Sequence, residues 1–189
     1  MRSVHLFFAL SALLLLAGCS SSGGQLAAPQ TVAQVDLQRY QGTWYELARL
    51  PMFFQRNCAQ SEAAYQLQAD ATLSVVNSCR TLSGEWLQAN GQAFAQQAGK
   101  TDKLWVRFDN WFSRLFPNFT RGDYWVLYLD DGYQLAVVGN PSRQYLWLLS
   151  RTPQVSAQTR EQLLSIARQR GYNTDELIWR VADQQIRQP

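Results

Sequence analysis

Short segments rich in Trp, Tyr, Val and Leu recur every ten to fifteen residues through this chain, separated by Gly, Asn, Asp and Pro. That spacing belongs to all-β barrels and sandwiches, where each short strand is followed by a chain-breaking turn. Eight such segments are read, over 43–49, 59–68, 72–79, 85–96, 103–108, 123–129, 133–138 and 145–151. Alternation is clearest in Leu104, Val106 and Phe108, with Lys103, Trp105 and Arg107 on the other face, so one face is apolar as a half-buried strand requires. Eight consecutive strands with short links predict an up-and-down barrel, because hairpin neighbours need only tight turns and a closed sheet exposes no edge.

After the last of these segments the period changes. Ser156 caps a helix over 156–170 in which Leu163, Ile166, Ala167 and Arg170 recur at helical spacing, and Gly171 ends it. A short strand over 176–181 then adds to an edge of the sheet. The expected fold is therefore all-β: an eight-stranded antiparallel up-and-down β-barrel with a C-terminal α-helix and a short final strand. Short links at 69–71, 99–102 and 130–132 alternate with longer ones at 50–57, 80–84, 109–122 and 139–144. In an up-and-down barrel alternate links share an end, so the short ones close one mouth and the long ones surround the other. The pair Asp130 and Asp131 beside Gly132 reads as turn chemistry. Two of the long links are unusually aromatic for loops, one carrying Phe53 and Phe54, the other Trp111, Phe112 and Phe116.

The N-terminus carries an address. Arg2 precedes an apolar run from Val4 to Leu16 that is too short to span a bilayer, which takes about 20 residues. Leu16-Ala17-Gly18-Cys19 at its end resembles a bacterial lipoprotein signal, in which residues 1–18 are removed and Cys19 is lipidated; the alternative is an ordinary secretory signal with a chance cysteine. Ser20 after the cysteine favours an outer-membrane destination within that resemblance, on the periplasmic side. The stretch 20–34 is Ser, Gly, Ala, Pro and Gln without charge and reads as a flexible tether, leaving 35–189 as one domain.

The net charge of +3, which falls by one when Arg2 leaves, and the absence of any basic cluster argue against a nucleic-acid partner. His5 is the single histidine and departs with the signal, which excludes a Ser-His-Asp triad, a Cys-His pair and a histidine zinc site; no cofactor or metal is expected. Cys58 and Cys79 lie near the open ends of one predicted hairpin. With Cys19 lipidated, a disulfide between them is the one pairing left in an oxidising compartment.

Gly42-Thr43-Trp44-Tyr45 opening the first strand, and Trp147-Leu148-Leu149-Ser150-Arg151 closing the last, resemble the first and third motif regions of lipocalins. Asp36-Leu37-Gln38-Arg39-Tyr40, Tyr45-Glu46-Leu47-Ala48-Arg49, Val76-Asn77-Ser78-Cys79, Gly122-Asp123-Tyr124-Trp125-Val126-Leu127 and Val138-Gly139-Asn140-Pro141 are similar to the bacterial outer-membrane lipoprotein lipocalins, relatives of apolipoprotein D. The middle lipocalin region reads Leu129-Asp130-Asp131-Gly132-Tyr133 and lacks the usual Thr-Asp-Tyr. The link 109–122 is longer and more aromatic than the family pattern.

That resemblance implies a calyx with one closed end, where Arg151 lies over the indole of Trp44, and a cavity for lipid. It places Tyr65, Asn77, Phe108 and Trp147 facing the ligand, with Leu104, Val106 and Leu149 sharing their parity and Trp86 inward by analogy. The implied ligand is a fatty acid or lysophospholipid, its head near Arg56, Arg114, Arg121 and Arg143, with Phe53, Phe54, Trp111, Phe112 and Phe116 as a mouth or membrane rim. The implied function is non-enzymatic lipid storage or transport in membrane maintenance. Two alternatives stand beside it: an enzyme using Tyr65 or Glu46 as acid or base, and an envelope interaction protein with a solid barrel. Related barrels pair, which leaves a homodimer open, with Trp105 and Trp179 as contact candidates.

Overall fold

The computed structural model describes residues 27–109 and 121–187. The signal, Cys19, and the rim residues Trp111, Phe112 and Phe116 lie outside the described residues. A one-turn helix α1 (Leu37–Tyr40) leads into eight antiparallel strands: β1 (Gly42–Arg49), β2 (Cys58–Leu67), β3 (Leu73–Thr81), β4 (Trp86–Gln97), β5 (Lys100–Phe108), β6 (Arg121–Leu129), β7 (Leu135–Gly139) and β8 (Leu146–Ser150). Each pairs with its sequence neighbour, and β1 pairs with both β2 and β8, which closes the barrel. Helix α2 (Ala157–Gln169) and strand β9 (Ile178–Trp179) follow. The eight strands and the helix fall where the periodicity puts them.

Two seams in the cylinder explain where the chain ends go. Strands β1 and β2 pair only from Gly42 to Tyr45, and above that point they part. Strand β9, two residues long where 176–181 was expected, enters this gap opposite Ala48 and Arg49, and Arg180 and Val181 continue it with N–H donation to Leu47 O and Ala59 O. It therefore adds to the edge of β1 where β2 has parted from it, and reaches across to β2 through Val181. Strands β5 and β6 pair from Lys103 to Arg107 and part below. Residues 31–35, of which 31–34 read as tether by composition, occupy that second gap: Val32 N–H donates to Val126 O, Thr31 Oγ1 to Asp102 Oδ2 at 2.6 Å, and Val35 N–H to Thr101 Oγ1 at 2.9 Å. Backbone groups at a parted seam need partners, and these segments supply them.

The short turns and α1 form one end. Asp36 caps α1 by accepting from the Gln38 and Arg39 amides, and its own N–H donates to the Tyr133 hydroxyl at 2.9 Å. Asp130 Oδ1 accepts from the amides of Gln134 and Leu135, so this aspartate serves its turn. Arg151 lies over the Trp44 ring at 4.0 Å and donates to the carbonyls of Thr43, Arg39, Tyr40 and Tyr133. The Trp44 indole N–H donates to Tyr40 O at 2.9 Å. These bonds tie β1, α1 and the β6–β7 turn to one guanidinium.

The apolar residues divide into two sets by parity. One fills the lower barrel, with Trp44, Tyr40, Leu73, Val75, Leu104, Val126 and Leu149 buried; the other lies outside, where Leu163 and Ala167 of α2 cover Leu127, Val137, Leu146 and Leu148. Cys58 and Cys79 are bonded, S–S 2.03 Å, and join the mouth ends of β2 and β3 across 21 residues. Closing a loop of that length restricts the unfolded chain, so Cys58→Ala/Cys79→Ala is expected to lose about 3 kcal/mol of unfolding free energy. An unchanged urea midpoint and slope would contradict this.

Candidate functional site

Residues paired across neighbouring strands share a face of the sheet, so register alone sorts the wall. Trp44, Ala63, Asn77 and Ala89 form one inward row, and Tyr65, Val75, Gly91 and Phe108 another. Ala93, Val106 and Gly122 form a third, and Leu104 with Tyr124 a fourth. Val138, Trp147 and Arg49 share a row, as do Ala136, Leu149 and Glu46. Seven of the eight expected ligand-facing residues thus point inward: Tyr65, Asn77, Leu104, Val106, Phe108, Trp147 and Leu149.

Trp86 does not. It pairs with Arg80, whose guanidinium lies 5.8 Å from its ring centroid on the outer face, and it is 48% exposed. Its neighbour Leu87, opposite Cys79, is the inward residue. One position along a strand exchanges the two faces.

Along this inner wall, burial falls from floor to mouth. Tyr65, Val75, Ala93, Leu104 and Leu149 are buried, whereas Ala63, Asn77, Val106, Phe108 and Trp147 are half-buried and Ala89 is exposed. From Ala89 onward strand β4 presents Ala89, Gly91, Ala93 and Ala95 inward, nothing larger than a methyl group. Gly91 accommodates Phe108, since a Cβ there would stand 2.9 Å from its ring. At Gly122, which faces inward beside Val106, a Cβ would meet nothing within 4 Å among the described residues. The lower barrel is packed, and the described upper wall is only half-buried.

Near the mouth one polar network crosses this wall. Arg49 donates to Glu46 Oε1 at 2.8 Å and to the carbonyls of Gln55 and Cys58. Gln55, from the link after β1, donates to Glu46 Oε2 at 2.9 Å and Ser61 Oγ at 3.2 Å, and its Oε1 accepts from the Trp147 indole at 3.0 Å. Glu46 and Arg49 are 6% and 2% exposed and neutralise one another. Burial pushes the Glu46 carboxyl above its ordinary value, against the opposing pull of Arg49 and Gln55. Gln55 thereby pins the loop that carries Phe53 and Phe54, which are 79% and 61% exposed at the mouth.

At the floor, three phenols meet. The Tyr40 and Tyr124 hydroxyls are 2.8 Å apart, and Tyr65 donates to Tyr124 at 3.0 Å. Burial raises all three above the usual phenol value, Tyr65 to about 12, so each keeps its proton at neutral pH. Sequence reasoning missed Arg49, Gln55, Gly122, Tyr40 and Tyr124. Strand parity was the available signal for Gly122 and Tyr124; nothing local marks Gln55 as an inner-wall residue.

The arginines expected around a ligand head have other duties. Arg143 donates to Arg170 O and Ala27 O, and Arg121 stacks on Trp105 at 3.8 Å on the outer wall. Arg56 remains at the mouth, over Phe53 at 4.4 Å, and Arg114 lies outside the described residues. The dimer candidates are covered by their own chain: Arg121 over Trp105, and Arg160 over Trp179 at 4.2 Å. A groove of about 260 Å³ also runs outside the barrel beside β9. Its walls include Gln60, Arg160, Arg180 and Asp183, which suit an acyl chain poorly.

Comparison with known proteins agrees with this architecture. The profile of the lipocalin-like domain matches residues 35–182. The chain is 36% identical over 183 residues to the outer membrane lipoprotein Blc of Escherichia coli K12, covering 95% of this chain and 97% of that protein. It is 37% identical over 150 residues to temperature-induced lipocalin-1 of Arabidopsis thaliana, covering 78% and 80%. Insecticyanin from the tobacco hornworm Manduca sexta superposes with a TM-score of 0.64 at 19% identity, over 85% of this chain and 87% of that one.

Proposed function

The chain belongs to the lipocalin family, and we propose that it is a lipid-anchored outer-membrane lipoprotein whose calyx holds one acyl chain of a fatty acid or lysophospholipid. The observation that carries this reading is the half-buried inner wall above the packed floor, with open space at Gly122 among the described residues. Each methylene moved from water into such a lining gains about 0.8 kcal/mol, so ten supply roughly 8 kcal/mol before ordering losses. The inward ion pair is internally neutral, which favours an aliphatic tail inside and a charged head at the mouth by Arg56. Related proteins named outer membrane lipoprotein support the location, with Cys19 as the lipidated residue and residues 1–18 as the removed signal.

An enzymatic role has less support. Tyr65 holds its proton to about pH 12 and donates it to another tyrosine, while both Glu46 oxygens have partners, so neither is a ready base. A barrel packed solid for protein interactions alone is opposed by the space above Gly122. Native mass spectrometry of the full chain extracted from the outer membrane tests the carrier reading. One chemically unaltered acyl lipid per chain is expected; protein that is empty and binds no added acyl probe would refute it.

A further inference from the structure

The floor phenols contain a hydrogen-bonding valence that the protein itself does not use. Each hydroxyl carries one proton, and the cluster of Tyr40, Tyr65 and Tyr124 contains two oxygen–oxygen contacts, at 2.8 and 3.0 Å. Tyr65 gives its proton to Tyr124, and the second contact takes the proton of either Tyr40 or Tyr124. Among the described residues the other of those two protons has no acceptor. Such a buried donor is normally satisfied.

The space above leads to it. On β2 the residue one step mouthward of Tyr65 is Ala63, and on β6 the residue one step mouthward of Tyr124 is Gly122, each about 7 Å along its strand. Gly122 leaves open space, and Tyr65 and Tyr124 keep 6% and 8% exposure while Tyr40 keeps none. The three rings belong to one buried cluster with Val75, Ala93, Leu104, Val126, Ala136 and Leu149. Arg151 lies beneath, its guanidinium already donating to four carbonyls. An apolar floor ending in one free donor, with the cation beneath it already engaged, selects an oxygen acceptor without charge.

We propose that the tyrosine floor is a subsite for an uncharged oxygen, a hydroxyl, ester or protonated carboxyl, at the buried end of a long-chain amphiphile. This rests on the carrier reading and gives it a polarity: the calyx accepts chains that enter with a neutral oxygen leading as well as purely aliphatic tails.

The test pairs two probes of equal length, dodecan-1-ol and 1-chlorododecane, displacing N-phenyl-1-naphthylamine from the full chain in amphipol. The variant is Tyr40→Phe/Tyr65→Phe/Tyr124→Phe, which keeps every ring and removes every hydroxyl, so no donor is stranded. Dodecan-1-ol is expected to bind the variant about three- to tenfold more weakly than wild type, and 1-chlorododecane within about twofold. Probe partition into the amphipol cancels in each ratio. Tyr128→Phe, on the outer wall, should move neither. Equal change for both probes, or no change for the alcohol, overturns the subsite.

Should the triple variant fail to melt cooperatively, the wild-type protein gives the answer by NMR. A buried phenolic proton resonance should shift with dodecan-1-ol and stay with 1-chlorododecane; no selective shift overturns the proposal. Normal 1-chlorododecane binding without alcohol selectivity removes the floor subsite alone, whereas failure of both probes to bind wild type removes the carrier reading with it.

Discussion

Gly122→Trp is expected to weaken acyl-probe binding about 100-fold while leaving the fold intact. The indole would occupy open space between Val106 and the phenol floor, displacing three or four methylenes at about 0.8 kcal/mol each. Gly122 is absent from the glycines with positive φ, so a side chain brings no backbone strain there. Thermal unfolding should shift by no more than a few degrees. Gly91 offers the contrast: it also faces inward, but a Cβ would stand 2.6 Å from Arg107 O, so Gly91→Ala damages the sheet itself. Unchanged probe affinity in Gly122→Trp would show that the ligand does not use the calyx.

Glu46→Leu is expected to cost about 3 to 5 kcal/mol of unfolding free energy at neutral pH, because it leaves the buried Arg49 and Gln55 N–H donors without their Glu46 acceptors. Glu46→Leu/Arg49→Met should recover at least half of that loss, since removing both charges removes both desolvation costs. The damage in the single variant extends to the mouth, where Gln55 loses its Glu46 partner. If the double variant is no more stable than the single one, the pair is not the source of the cost.

The same group predicts a pH dependence. Burial raises the folded-state value of Glu46 above the ordinary 4.5, so the folded chain binds this proton more tightly than the unfolded chain. Its favourable contribution is complete below about pH 4.5 and is lost as pH rises through the raised folded value. Relative to Glu46→Gln, wild type should therefore lose stability on going from acid toward neutral pH. A wild-type advantage that grows over that interval would reverse the sign.

The barrel was legible in the sequence because period-two alternation and Gly, Asp and Asn turns are local signals, and an up-and-down order asks only that neighbours pair. The Arg151 and Trp44 contact was reachable through family motifs. The phenol floor was not, since Tyr40 and Tyr124 are 84 positions apart and Tyr65 and Tyr124 are 59 apart. Trp86 was misplaced because it begins its strand, where no preceding alternation sets the parity. The turn joining Thr81 N–H to Glu85 O fixes it by setting Arg80 opposite Trp86. The seam filled by 31–34 was hidden too, because a parted strand pair has no signature in either strand alone.

The central claim is that the calyx above the phenol floor holds an acyl chain. It is tested most directly by titrating the full chain calorimetrically with saturated fatty acids of increasing length. Affinity should rise about fourfold for each added methylene until the cavity is full and then level off. Binding that is independent of chain length from the shortest acid onward, or absent throughout, would contradict it.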